Sequence, residues 1–416
     1  MNRHICFLVA AILFSGRGHA QPGPTLQVPA LKLEDLERMA LAASPSLQQS
    51  ATDVQAAQGR ARQAGLYPNP VVGSSGEHIS NAPGLRGGTI GGFVEQRVVT
   101  AGKLGLSRRA GERQAAAAGQ MQEAQRQRVL IAIRTLYYQA LGGQRLLEVR
   151  QDLAQLAART ARTAHESANL GRFDRPDVLA AEVEAQRADL SVVLARNALD
   201  RTWREIAALT AQPLLQGVKV DGDIEKLPVV EAGALEHIYT TNPDLRATMS
   251  SRESAQLLVD RARVEKIPDV VVRGGVRYNR ELVAPALPAG TEGFFDVSVQ
   301  IPLFNRNQGA LAAARAEAEH ARLETERRRQ MLARRFAAVY REYQDATAAA
   351  TKYRDQMLPA ASEAYEMYSS NFGNMTATYA QVLMTQRNLI QMREEYVSAL
   401  VNAWRSAVEI EGLLVE

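Results

Sequence analysis

Cysteine is all but absent. The chain has one, Cys6, and it lies inside an apolar run from Ile5 to Phe14. Arg3 and His4 precede that run, and Gly18-His19-Ala20 follow it with the small residues a signal peptidase needs. Residues 1–20 therefore read as a secretory signal, with cleavage between Ala20 and Gln21. The apolar run is too short to anchor the chain across a bilayer. A mature chain without thiols can have no disulfide framework, no thiolate metal site and no lipid-bearing cysteine.

Long hydrophobic runs are missing as well. No mature stretch approaches about eighteen uninterrupted apolar residues, so transmembrane helices are excluded. Outer-membrane strands are not, because they need only alternate apolar and polar residues. Charge of one sign is also lacking. The formal charge of +4 falls to +2 when Arg3 and Arg17 leave with the signal, which gives no footprint for nucleic acid. The chain has no Gly-rich phosphate loop and no nucleophile elbow. After the signal its histidines are His78, His165, His237 and His320. They share no ligand spacing, so no metal site, cofactor or catalytic residue is expected, and the chain does not read as an enzyme.

Proline is scarce where it matters. None of the 16 falls between Lys103 and Arg175, between Asp177 and Gln212, between Leu303 and Leu358, or after Pro359. These stretches are rich in the strong helix formers Ala, Leu, Glu, Gln and Arg. Their apolar residues step by three and four, as in Leu146, Val149, Leu153, Leu156 and Thr160. The series Phe336, Val339, Tyr343, Ala346, Ala350, Tyr353, Met357 and Val382, Thr385, Leu389, Met392, Tyr396, Ala399, Ala403 do the same. This is the seam of long coiled-coil helices.

The chain says the same thing twice. Ser44-Pro45-Ser46-Leu47 is answered by Asn242-Pro243-Asp244-Leu245, and Pro68-Asn69-Pro70 by Pro268-Asp269-Val270. Phe93-Val94-Glu95-Gln96 is answered by Val297-Ser298-Val299-Gln300, and Asn169-Leu170-Gly171-Arg172 by Asn371-Phe372-Gly373-Asn374. The separation stays near about 200 residues, far beyond a solenoid unit. The expected layout is a first repeat at 21–211, an inter-repeat segment at 212–232 with the Pro and Gly of a linker, and a second repeat at 233–416.

Each repeat holds a tight helical hairpin, with tips at about 169–177 and 371–378. Gly171 and Gly373 suit the turns, and Asp174 or Thr376 can cap the following helix. Each repeat also holds a strand pair, at about 70–99 and 269–301. Ile90, Val94 and Val98 alternate with Gly91, Phe93, Glu95 and Arg97. Val270, Val272, Gly274, Val276 and Tyr278 alternate with Val271, Arg273, Gly275, Arg277 and Asn279. A turn from Ala284 to Gly293 leads to Phe295, Val297, Val299 and Ile301, which alternate with Asp296, Ser298 and Gln300. Runs of about ten residues have the length of tilted membrane strands. An amphipathic hairpin on a soluble core is the alternative. Two hairpins cannot close a barrel, and open edges are not tolerated in lipid. In a bilayer the chain would have to oligomerise around a shared barrel.

These features together resemble the TolC-like outer-membrane efflux family over nearly all of the mature chain. Leu66-Tyr67-Pro68-Asn69-Pro70, Glu95-Gln96 leading to Thr100-Ala101-Gly102-Lys103, and above all Ile301-Pro302-Leu303-Phe304-Asn305-Arg306-Asn307-Gln308-Gly309-Ala310 look like its cobalt–zinc–cadmium branch. The resemblance implies a fold that is mainly α with a transmembrane β part. It implies a homotrimer in the outer membrane of a Gram-negative bacterium, embedded in outer-membrane lipid, whose long helices form a periplasmic α-barrel. Each chain would give four strands to one shared β-barrel. It further implies an exit duct for heavy-metal cations, working with a periplasmic adaptor and an inner-membrane resistance-nodulation-division pump. The adaptor would meet Leu170, Gly171, Arg172 and Phe173 at one tip and Phe372, Gly373, Asn374 and Thr376 at the other. Asp177, Gln381 and Met384 are candidates for the inner constriction. Two features depart from the family: the lipid-bearing cysteine is missing, and Gln381 and Met384 stand where drug-exporting members often carry acidic rings. A duct for drugs or secreted substrates, a periplasmic coiled-coil adaptor and a purely structural coiled coil are the competing readings. An adaptor should have one long hairpin, and this chain has two.

Overall fold

Each half opens with a short helix that stops at a capping residue. Helix α1 (Leu33–Ala43) ends at Ser44, whose hydroxyl accepts the Leu47 N–H at 3.3 Å while Pro45 takes the first turn of α2 (Pro45–Ala64). Helix α5 (Ala234–Thr241) ends at Asn242, whose side chain accepts the Leu245 N–H at 2.8 Å while Pro243 opens α6 (Pro243–Val264). The repeated cap–Pro pairs satisfy orphan N–H groups and preset the first turn. The computed structural model describes residues 31–80, 87–169, 174–213, 215, 218–231, 233–284, 287–373 and 376–415. The expected cleavage site at Ala20 and Gln21 lies outside the described residues, as do Leu170, Gly171, Arg172, Phe173 and Asn374.

After its paired helices each half gives two strands: β1 (Val71–Ser80) and β2 (Gly87–Val98), then β3 (Val270–Ala284) and β4 (Leu287–Val299). The four form one antiparallel sheet in the order β1-β2-β3-β4. The halves join at β2 and β3, from Thr89 opposite Asn279 to Val98 opposite Val270. Strands β1 and β4 are the edges.

Two expectations for the strands change. The stretch from Ala284 to Gly293, read as a turn, is largely strand: Tyr278 pairs with Thr291 and Leu282 with Pro288 across shifted register. A proline is tolerated there because β4 is an edge and owes no N–H on its open side. The echo of Phe93–Gln96 in Val297–Gln300 is one residue out. Val71 pairs with Glu95 and Val271 with Ser298, so Glu95 corresponds to Ser298, and Gln96 to Val299. Strands have period two, so this single step restores the same face to Val94 and Val297.

The long helices follow. Helix α3 (Lys103–Asn169) runs unbroken for 67 residues and packs against α4 (Arg175–Thr210). In the second half, α7 (Gln308–Lys352) passes through a π-turn at Tyr353–Met357 into α8 (Leu358–Gly373), which packs against α9 (Tyr379–Glu411). Pro359 has no N–H to give back along the helix, and the ladder widens just before it. Two buried cores are formed, one shared by both halves and one within the second half. One gathers Leu36, Ile133, Trp203, Ile206 and Leu400; the other gathers Ile238, Phe336, Val339, Ala407 and Ile410.

The segment between the halves is sewn to both. Leu31 bridges Val220 in a parallel strand contact. Tyr137 donates to the Asp221 carbonyl at 2.5 Å, Trp404 to that of Ile224 at 3.0 Å and Tyr343 to that of Pro228 at 2.7 Å. These donors satisfy carbonyls that a packed, irregular segment would otherwise leave orphaned.

Candidate functional site

The sheet has two unlike faces. Val72, Ile90, Val94, Val98, Val276, Tyr278, Phe295, Val297 and Val299 are exposed on one of them, as the period-two pattern requires. The other face is charged and aromatic. The Arg273 guanidinium stacks 3.7 Å above the Phe93 ring centroid. Arg277 and Asn279 donate to Glu292 at 3.2 and 2.9 Å, and Glu77 of β1 approaches Arg277 at 4.0 Å. Glycine makes this stack possible, because a Cβ on Gly73 would lie 2.6 Å from the Phe93 ring. An apolar outer face with a polar inner face is the arrangement of a barrel wall between lipid and a water-filled interior.

Where β2 hands over to α3, the chain turns through two left-handed residues, Ala101 (φ 55°) and Gly102 (φ 66°). This drives Lys103 inward. Its ammonium lies 2.7 Å from Asp269, just before β3, with both side chains almost fully buried. Asp269 also accepts from Arg97 at 2.9 Å and from the Thr100 N–H at 3.2 Å, while the Thr100 hydroxyl donates to the Pro268 carbonyl. Burial pushes the Asp269 carboxyl up, but the donors from Lys103, Thr100 and Arg97 outweigh it and hold it below the usual range. This latch ties the first half to the second at the base of the sheet.

The other end of the molecule is the helical tip. Helix α9 starts at Thr378, not at Thr376. The Thr378 hydroxyl accepts the Gln381 N–H, and the Gln381 side chain accepts the Thr378 N–H at 2.9 Å, closing a capping box. The reason is the Gln three residues on, which Thr376 lacks. Thr376 donates its hydroxyl and its N–H to the Asn371 carbonyl instead. Helix α4 starts at Asp174, with Pro176 in its first turn and no side-chain cap bond. Ala161, Ala164, Ala181 and Tyr379 form a small buried cluster there, with Phe372 and Leu383 packed on it.

Asp177 and Gln381 occupy the same place, three residues past the start of their helices, and both are exposed. Met384 lies one turn further on and is 65% exposed. Phe372 turns its ring toward Tyr379, 6.3 Å away. Burial and Glu184 push the Tyr379 phenol up; Arg387 opposes and Asp177 adds to the rise. Sequence reasoning missed the ties around this cluster. Glu184 of α4 accepts from Arg387 of α9 at 3.1 Å, a bond between the halves. Arg150 of α3 meets Glu394 of α9 at 2.8 Å. His165, read as a solvated or packing residue, lies 2.6 Å from Glu182. No short-range signal marks these pairs, since charged residues on long helices also read as solvated faces. Among the described residues no helix is long and apolar enough to cross a membrane, and no group of His, Cys, Asp and Glu is arranged to hold a metal ion.

Comparison with known proteins bears on this arrangement. The model of the family described as outer membrane efflux protein matches residues 36–212 and again residues 235–414, once per half. The cobalt-zinc-cadmium resistance protein CzcC of Cupriavidus metallidurans is 26% identical over 279 residues, covering 67% of this chain and 65% of CzcC. The match thus spans just under two thirds of that relative's length. Among solved structures, CusC superposes with a TM-score of 0.80 at 15% identity over 95% of each chain. VceC of Vibrio cholerae gives 0.77 at 20% identity, over 92% of this chain and 95% of VceC. At such identities the likeness is one of fold.

Proposed function

This chain belongs to the outer membrane efflux protein family, and we propose that it is one third of the exit duct of a tripartite pump that expels heavy-metal cations. One observation carries the duct. A four-stranded sheet with an apolar outer face and an Arg/Glu-lined inner face cannot close on itself. In lipid its edges would be left unpaired, whereas three copies complete a twelve-stranded barrel. That wall supports a place in the outer membrane of a Gram-negative cell. The helices below it would surround a continuous periplasmic passage. A duct needs no bound metal to carry one, so no cofactor enters the account.

At the periplasmic end, Leu170, Gly171, Arg172 and Phe173 with Phe372, Gly373, Asn374 and Thr376 would receive the adaptor. Asp177, Gln381 and Met384 would narrow the passage. The Glu184–Arg387 bond supports a closed resting state, because it holds α4 against α9 beside those residues. Docking of an adaptor would then exchange this bond for new contacts and let the tips part.

The metal cargo rests on the likeness to CzcC and to the cobalt–zinc–cadmium motifs. Deleting the gene should raise sensitivity to cobalt, zinc or cadmium, and a plasmid copy should restore tolerance. Unchanged metal tolerance with new sensitivity to organic compounds would make it a drug duct. Unchanged tolerance to both would leave efflux without support.

A further inference from the structure

The positive charge of the chain is not spread evenly. Residues 60–70, 97–112, 260–269 and 301–315 are the four junctions between the sheet and the helices that lead to and from it. They carry eleven Lys and Arg against four Asp and Glu. That excess is larger than the formal charge of the whole chain, +4, so the remainder is net negative. The far end of the sheet is balanced: residues 77–92 and 277–292 carry three cations and three acids. A band of one sign therefore lies only at the end where the helices begin.

The surplus is free to meet a partner. The four acids are engaged within the band: Glu112 by Arg108, Asp260 by Arg263, Glu265 by Arg261 and Asp269 by Lys103. Six exposed cations, Arg60, Arg62, Arg109, Lys266, Arg306 and Arg315, have no carboxylate partner among the described residues. Three of the six stand beside bare apolar side chains at the strand ends. Arg62 lies one turn before Leu66 and Tyr67, Lys266 precedes Ile267, and Arg306 follows Leu303 and Phe304, all of them exposed. The Arg306 guanidinium donates to the Leu303 carbonyl at 3.3 Å. Ile301, also exposed, keeps step with Val297 and Val299 and so continues the outer face of the sheet. A cation on a flexible stem beside an exposed apolar group suits the boundary between acyl chains and headgroups.

We propose that this band binds the headgroups of anionic phospholipids in the leaflet on the helical side of the membrane. Tyr67, Ile267 and Phe304 enter the acyl boundary, and Arg62, Lys266 and Arg306 meet the phosphates level with it. A zwitterionic headgroup offers the same phosphate, but its ammonium cancels the attraction, so the band selects lipids of net negative charge. The occupant is a lipid rather than a soluble anion because the free cations are paired with bare apolar groups, which a soluble anion would leave in water. The inference rests on the reading of the sheet as an outer-membrane wall and adds which lipids that wall holds.

The test weighs bound lipid. The full chain, purified in a non-ionic detergent, is mixed with phosphatidylglycerol, with phosphatidylethanolamine or with glycerol phosphate, and adducts are counted by native mass spectrometry. The wild type should retain several-fold more phosphatidylglycerol than phosphatidylethanolamine and no glycerol phosphate. The preference should weaken as ammonium acetate is raised. Arg62→Gln, Lys266→Gln and Arg306→Gln together should remove it. Arg159→Gln, Arg162→Gln and Arg196→Gln, which change three exposed cations on the far stretches of α3 and α4, should keep it. Equal retention of the two lipids by the wild type overturns the proposal without recourse to any variant. So does an undiminished preference in the first triple variant. Glycerol phosphate held as firmly as the lipid would make this a plain phosphate site and overturns it too. In each of these cases a three-copy mass leaves the duct standing, whereas a water-soluble monomer that binds neither lipid ends both readings.

Discussion

The two places where a strand hands over to a long helix are built on one plan with opposite chemistry. At the first, Lys103 and Asp269 are buried together, with Arg97 and Thr100 completing the carboxylate's shell. At the second, the turn Asn305-Arg306-Asn307-Gln308 has one left-handed residue, Asn307, and the approach to it is bare: Phe304 is 92% exposed. The counterpart of Asp269 is Asn69, and it too is exposed. The charged latch stands where two halves meet inside one chain. Amides and bare apolar groups stand where a half meets nothing in its own chain. Buried charge is tolerable when covalent connection guarantees its partner; a charge desolvated without that partner is strongly destabilising.

The comparison breaks most sharply at the latch. Asp269→Ala leaves Lys103 buried without a counter-charge and should cost about 3–5 kcal/mol. Asn69→Ala should stay within about 0.5 kcal/mol per copy. Denaturant unfolding of both variants reads the contrast. Comparable losses would mean that the two junctions are not chemically distinct.

Next come the two faces of the sheet. Val272→Arg or Val297→Arg places a charge on the outer face and should cost about 2–4 kcal/mol near the mid-plane. Arg273→Lys on the inner face keeps the charge and should cost less. Yields of folded, heat-modifiable trimer measure this, and equal tolerance on both faces would remove the barrel wall.

Acid sharpens the latch further. The folded Asp269 carboxyl lies below its usual value, so its stabilisation is complete above the unfolded value of about 3.9. It is lost as pH falls from there through the lowered folded value. The wild type should therefore lose more stability between pH 6 and pH 3, chosen to bracket that carboxylate range, than Asp269→Asn does. Parallel melting curves for the two would place the acid-sensitive groups elsewhere.

The smallest effect separates the tips. Thr378→Ala breaks a closed capping box and should cost about 1 kcal/mol, whereas Asp174 caps through no side-chain bond and Asp174→Ala should cost a few tenths. Thermal unfolding resolves the difference, and the reverse order would exchange the roles of the two caps.

Much of the fold was legible because it is written in local chemistry. Ser44-Pro45 and Asn242-Pro243 announce helix starts, the proline-free stretches announce long helices, and alternation assigns the faces of β2, β3 and β4. Errors came where a signal was ambiguous by one step. Thr376 and Thr378 both suit a cap, and only Gln381 distinguishes them. The echo of β2 in β4 slipped by a residue because apolar alternation scores nearly as well when shifted in a Gly-rich strand. The Pro/Gly stretch before Phe295 reads as a turn, yet an edge strand tolerates it. At the candidate site, Asp177 and Gln381 fall at matching places because the duplication marks them. Lys103 with Asp269 and Glu184 with Arg387 are more than 160 residues apart in sequence, and only the folded chain brings them together.

The central claim is that this chain forms a water-filled duct held shut at its helical tips. Single-channel current through the purified protein in planar bilayers tests it most directly. The wild type should show small, discrete conductance steps. Arg387→Gln, which frees α9 from Glu184, should show steps several-fold larger with little change in melting temperature. Trimer that inserts but never conducts, in either form, would contradict the account.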